Sequence, residues 1–152
     1  VNVFVMAKAV VKKTAKKADI KYSDKSAGQD VLLPIFDRLK QLLGGFAKDG
    51  LVVTGDSGGQ YHIGSTREII IDGKKREGIF FASAMVQKGY VGFYYMPVYT
   101  DPAMKPQLPE SLLKLLKGKS CFHIKKADEA IYQQIETALA TGVSLYKKKG
   151  WL

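Results

Sequence analysis

The hydrophobic and polar positions change period several times along the chain, and each change marks an element. Leu32, Ile35, Phe36, Leu39, Leu42, Leu43 and Phe46 recur at helical spacing, which predicts one amphipathic helix. Asp30 reads as its N-cap, Pro34 sits in the early turns where proline costs least, and Gly44 with Gly45 supplies the stop. The period then shortens to two. Leu51 to Thr54 and Gln60 to Ile63 predict a hairpin across GDSGG, and Arg67 to Ile71 is expected to meet Gly78 to Val86 across DGKKREG. Met85 to Tyr99 predicts a further hairpin, with Gln87, Lys88 and Gly89 as the turn and Pro97 ending the pairing.

Helical spacing returns after Pro102, Pro106 and Pro109. Glu110 to Leu116 reads as a short helix stopped by Gly118, and Ser120 to Ile124 as a strand. Asp128 then caps a longer helix with Ile131, Ile135, Ala138, Leu139 and Leu145 on one face, and Gly142 weakens or ends it. Antiparallel strands in chain order give a meander. The expected fold class is α+β, an antiparallel sheet of about five to six strands with helices packed on one face.

A chain of 152 residues that is 46% hydrophobic can bury the core of one domain, expected over residues 30–152. Residues 1–29, rich in Lys, Ala, Ser and Thr, read as a basic flexible tail, with Met6 as a possible natural start after Val1 to Val5. No run approaches the roughly 18 apolar residues of a membrane helix, and no leader pattern opens the chain. A membrane partner is therefore not expected and the protein is placed in the cytoplasm; the single Cys fits a reducing compartment.

The net charge of +10 concentrates at the two ends of the chain, which attracts anions or leaves a solvated lysine surface. No metal-binding, nucleotide-binding or hydrolase motif occurs, so no catalytic residue and no cofactor are assigned. In GYVGFYYMP, Tyr90, Gly92, Tyr94 and Met96 share one strand face and Val91, Phe93 and Tyr95 the other. Tyr90, Tyr94 and Met96 are thus candidate ligand contacts, with Lys119, Lys125 and Lys126 as cationic neighbours, and Gly92 as a point of close approach. Cys121 and His123, two apart on a strand, share a face and form a weak candidate metal pair that needs further ligands such as His62 or Asp56. The GDSGG loop reads as a turn rather than a phosphate cradle.

VGFYYMPVY (Val91 to Tyr99), KGKSCFHIKK (Lys117 to Lys126) and LYKKKGW (Leu145 to Trp151) together resemble the YdhG-like family, a group of small bacterial domains. The resemblance implies a frataxin-like α/β arrangement. It also suggests iron handling through carboxylates of the first helix, where this chain offers Asp30, Asp37 and nearby Asp49. The leading expectation is a non-catalytic domain that binds a small or anionic ligand, or a protein partner, through its sheet face. Iron binding or delivery is the alternative. Nucleic-acid binding through the tail and C-terminal lysines is a third, and a dimer is possible.

Overall fold

In a computed structural model of the chain, residues 23–152 are described. The tail residues 1–22 and the alternative start at Met6 lie outside them. The described residues open with a 3-10 turn at Asp30–Leu32 that runs into helix α1 (Leu33–Gly45). Asp30 therefore lies inside the first turn rather than capping it. Gln29 precedes it and holds the chain in place: its side-chain amide donates to Gln87 O at 3.0 Å and accepts from Gly89 N at 2.7 Å. Of the segment expected as a tail over residues 1–29, only residues 23–29 are described, and Gln29 among them is held against the β5–β6 turn.

Strands β1 (Leu51–Ser57), β2 (Gln60–Ser65), β5 (Ile79–Gln87), β6 (Tyr90–Tyr95), β8 (Cys121–Ile124) and β7 (Leu116–Lys117) lie side by side in that order. Every neighbouring pair is antiparallel, but only β1, β2, β5 and β6 follow one another as a meander; β7 lies at the edge and β8, later in the chain, inserts between it and β6, so the expected meander does not extend to the last two strands. Gly55 to Ser57 belong to β1, and the expected GDSGG loop shrinks to a turn at Gly58 and Gly59. The pairing of Arg67–Ile71 with Gly78–Val86 does not form. Instead β3 (Ile69–Ile71) pairs with β4 (Lys74–Arg76) in a separate two-stranded ribbon. The cause is local: Asp72 and Gly73 both hold positive φ, the requirement of a two-residue hairpin turn, and they close the chain before it reaches β5.

After β6 come two four-residue helices, α2 (Pro97–Thr100) and α3 (Glu110–Leu113), and then the long α4 (Glu129–Lys148). Asp128 caps α4 as expected, its carboxylate accepting from Ala130 N and Ile131 N. α4 continues through Gly142 and buries Tyr146 rather than Leu145. Helices α1 and α4 cover one face of the sheet. Leu39, Ile63, Phe93, Phe122, Ile135 and Leu139 fill the space between, all essentially inaccessible to solvent. The side chain that Gly142 lacks would meet the Tyr95 hydroxyl at 2.6 Å and Pro97 Cγ at 2.9 Å, so a missing Cβ lets α4 seat against β6 and α2. Tyr95 donates from there to the Ala138 carbonyl of α4.

Candidate binding face

Strand register decides which side chains stand opposite the helices. Gly55, His62, Ser83, Tyr94, Cys121 and Lys117 are successive cross-strand partners, one row spanning all six strands. A second row runs Ser57, Gln60, Met85, Gly92 and His123, and Gln87 pairs with Tyr90 beyond it. Tyr95, one residue from Tyr94, bonds to α4, which fixes these rows on the face away from the helices. Neither α1 nor α4 covers that face, yet it is far from bare: Ser83 is only 2% exposed, and Met85, Tyr90, Tyr94, Cys121 and His123 are each half-buried by their neighbours.

The contacts explain this burial. Tyr90 and His123 stack face to face, ring centroids 3.7 Å apart and planes 9° apart, across the β6–β8 pair. The Tyr94 ring lies across Gly92, where an added Cβ would come within 2.8 Å of Cε1 and 3.2 Å of Oη. Gly92 thus permits a close approach, as expected at mid-strand, but the group that approaches is the Tyr94 ring. The Tyr94 hydroxyl accepts from Gln87 Nε2 at 3.2 Å and lies within hydrogen-bond reach of the Cys121 thiol. On the far side, His62 Nε2 bonds to Gln60 Oε1 at 2.7 Å, and its ring meets Phe80 edge to face at 6.4 Å.

The electrostatics of the face are one-sided. Of the residues that the register places here, none is acidic; Asp56, on the neighbouring strand position, points to the helix side and pairs with Lys40 of α1 at 3.0 Å. Lys117 ends the long row, exposed Lys119 lies in the β7–β8 turn with its ammonium 5.7 Å from the Tyr99 ring centre, and exposed Lys125 and Lys126 follow β8. Burial, then the Cys121 sulfur, pushes the Tyr94 hydroxyl well above its ordinary range. Burial also raises the Cys121 thiol, against a smaller opposing pull from Tyr94. Burial lowers His62, and burial with repulsion from Lys125 and Lys117 lowers His123. At neutral pH the thiol, phenols and imidazoles are therefore uncharged, and the lysines set the sign of the face.

Most of the residues picked out in the sequence gather here. Tyr90, Tyr94, Cys121 and His123 share the face, and Lys119, Lys125 and Lys126 rim it. Met96 does not belong to it. β6 ends at Tyr95, and Met96 has helical φ and ψ of −64° and −36°, so strand alternation no longer applies and it leads into α2. The candidate metal pair gains no third ligand. His62 stands three strands from Cys121, about 14 Å at the usual strand spacing. Among the described residues no group of three or more His, Cys, Asp or Glu side chains is placed to hold a metal ion. Nor does Cys121 have the features of an activated nucleophile. Its thiol is raised rather than lowered, its polar neighbour is a phenol, and the His123 ring is engaged with Tyr90.

Sequence reasoning missed Phe80, Ser83, Met85, Gln87 and Lys117 as members of the face. Alternation through Ala82, Ala84 and Val86 was the available signal for Ser83, Met85 and Gln87. Comparison of the chain with protein-family models, with curated proteins and with solved structures found no match. Among the described residues no helix is long and apolar enough to cross a membrane.

Proposed function

We propose that the protein is a non-catalytic binding domain. It takes up a small flat or anionic ligand, or the surface of a protein partner, on the open sheet face, with Lys119, Lys125 and Lys126 attracting negative charge at the rim. The observation that carries this reading is the face itself: a surface of Met85, Tyr90, Tyr94, Cys121 and His123 that, among the described residues, no helix covers and in whose cross-strand rows no carboxylate stands. Membership of the YdhG-like family is part of the same proposal, supported by the order of helix, meander and closing helices.

Adenosine monophosphate, an aromatic anion, is a suitable first probe, followed by amide and methyl chemical shifts of the full chain. Perturbations are expected at Met85, Tyr94 and His123, shrinking as salt rises. Shifts confined to the surfaces of α1 and α4, or none across a panel of aromatic anions, would remove the open face as the site.

A further inference from the structure

We propose that the natural occupant of the open face is single-stranded nucleic acid, an inference that rests on the binding-face reading above and names its ligand class. Three observations converge. First, the rings form platforms: Tyr94 lies along the sheet over Gly92, and Tyr90 and His123 are locked in a parallel stack at the next position toward the edge. Partly exposed rings held in this way offer π-faces to an unpaired base, and such stacking accepts any base. Their rotamers are already fixed by the stack and the glycine beneath, so little ordering remains for the ligand to impose.

Second, the charge is complementary. Among the described residues, none that the register places on the face is acidic, while Lys117 and Lys119 lie at one end of β8 and Lys125 and Lys126 at the other. Lys119 and Lys125 are six residues apart in sequence, so the basic margin runs about 20 Å at the strand rise, long enough to follow a phosphate backbone beside the rings. Third, the polar groups on the face are neutral donors and acceptors. Gln60, Gln87, the Tyr94 hydroxyl and both imidazoles, all partly exposed, suit base edges better than a salt-bridging protein partner. A duplex is disfavoured, because rings lying on a sheet cannot enter a groove or reach stacked, paired bases.

The test measures binding of labelled ten-nucleotide oligothymidylate and oligouridylate to the full chain by fluorescence anisotropy over a range of potassium chloride concentrations. Tyr90→Ala and Tyr94→Ala are each expected to weaken binding between about 5- and 150-fold. Replacing Lys117, Lys119, Lys125 and Lys126 with Gln is expected to make the slope of log affinity against log salt shallower by about 3. These lysines are exposed, so that variant keeps its fold even if a tyrosine variant does not. Equal affinity for a duplex of the same length, unchanged binding in the tyrosine variants, or an unchanged slope in the lysine variant would overturn the proposal. If adenosine monophosphate perturbs the face but the oligonucleotides bind no more tightly than it does, the nucleic-acid inference fails while the binding-face reading stands. If neither perturbs the face, both fail.

Discussion

Gly142 sets how closely α4 approaches the sheet. A methyl group there would fall within 3.0 Å of the Tyr95 hydroxyl, Pro97 and Phe81, all of them held by the core. Alanine gains up to about 1 kcal/mol of helix propensity over glycine, but overpacking a filled core costs about 1–3 kcal/mol. Gly142→Ala is therefore expected to destabilise the protein, seen as a lower urea midpoint with an unchanged slope; a raised midpoint would show that the contact yields. The two imidazoles give a second expectation. Both are held below the ordinary value of 6.5, so between the two values the unfolded chain binds more protons than the folded one. Their contribution is full above 6.5 and is lost as pH falls through it toward the lowered values. Urea midpoints should decline over that window, and His62→Gln, at the more deeply buried of the two, should flatten the decline. Cys121 titrates in the opposite sense: its thiol, raised above 9.0, stays protonated at neutral pH. Alkylation by iodoacetamide should be slow there and accelerate only in strong alkali. Tyr94→Phe should push the midpoint higher still, because the hydroxyl favours the thiolate.

Among the elements, α4 shows most directly how a local signal becomes tertiary structure. Asp128 satisfies two backbone donors at its start, and Arg38 of α1 meets Glu129 one residue later through paired contacts of 2.7 and 2.8 Å. The exposed ion pair adds little, whereas loss of the cap costs about 1 kcal/mol. Asp128→Ala should lower the thermal midpoint by a few degrees and Asp128→Asn by less, as thermal scans followed by circular dichroism would show. Asp128 was legible in the sequence because a cap is a contact between residues two and three apart. So were α1, from its seven apolar positions, and the β1-β2-β5-β6 part of the sheet, from strands in chain order, but not the insertion of β8 between β6 and β7. The misread elements share a different property. The ribbon of β3 and β4 turned on whether Asp72 and Gly73 would close a hairpin at once or let Ile69 to Ile71 reach β5, a choice between local turn geometry and long-range pairing. Met96 was misplaced because alternation says nothing about where a strand ends. For the binding face, the pairs within β8 were legible from spacing, but the row from His62 to Lys117 depends on register across four strand junctions, which no single segment contains.

At the scale of the whole molecule, the sheet presents two unlike surfaces. One side is closed by α1 and α4 into a single core reaching from Leu32 to Trp151. The other carries partly exposed side chains packed on one another along the strands, with no described helix over them. The C-terminal residues join the helix side instead of trailing from it. Trp151 packs edge to face on Tyr146 at 4.9 Å, its carbonyl accepts from Ser65 Oγ at 2.8 Å, and its N–H donates to the Tyr146 carbonyl at 2.9 Å. Tyr146 in turn meets Phe81 at 5.0 Å and donates to Phe80 O at 2.7 Å, so one chain of contacts runs from Trp151 through α4 to β5. Trp151 is the sole tryptophan, which makes its fluorescence a reporter of that linkage. If the helices, sheet and C-terminal residues share one core, they unfold together, and a domain of this size is expected to do so in one step. Urea transitions followed by Trp151 emission and by far-ultraviolet circular dichroism should therefore coincide in midpoint and slope. An emission change that precedes the loss of helix and strand signal would mean that the C-terminal residues undock as a separate unit. Trp151→Ala discriminates further. Truncating a buried tryptophan costs about 3–5 kcal/mol. A loss of that size seen by circular dichroism would place Trp151 within the cooperative core, whereas a loss confined to the last turn of α4 would leave the global transition where it was. Because the open face lies across the sheet from Trp151, the same substitution should leave the affinity of the face unchanged at concentrations of urea where the fold persists.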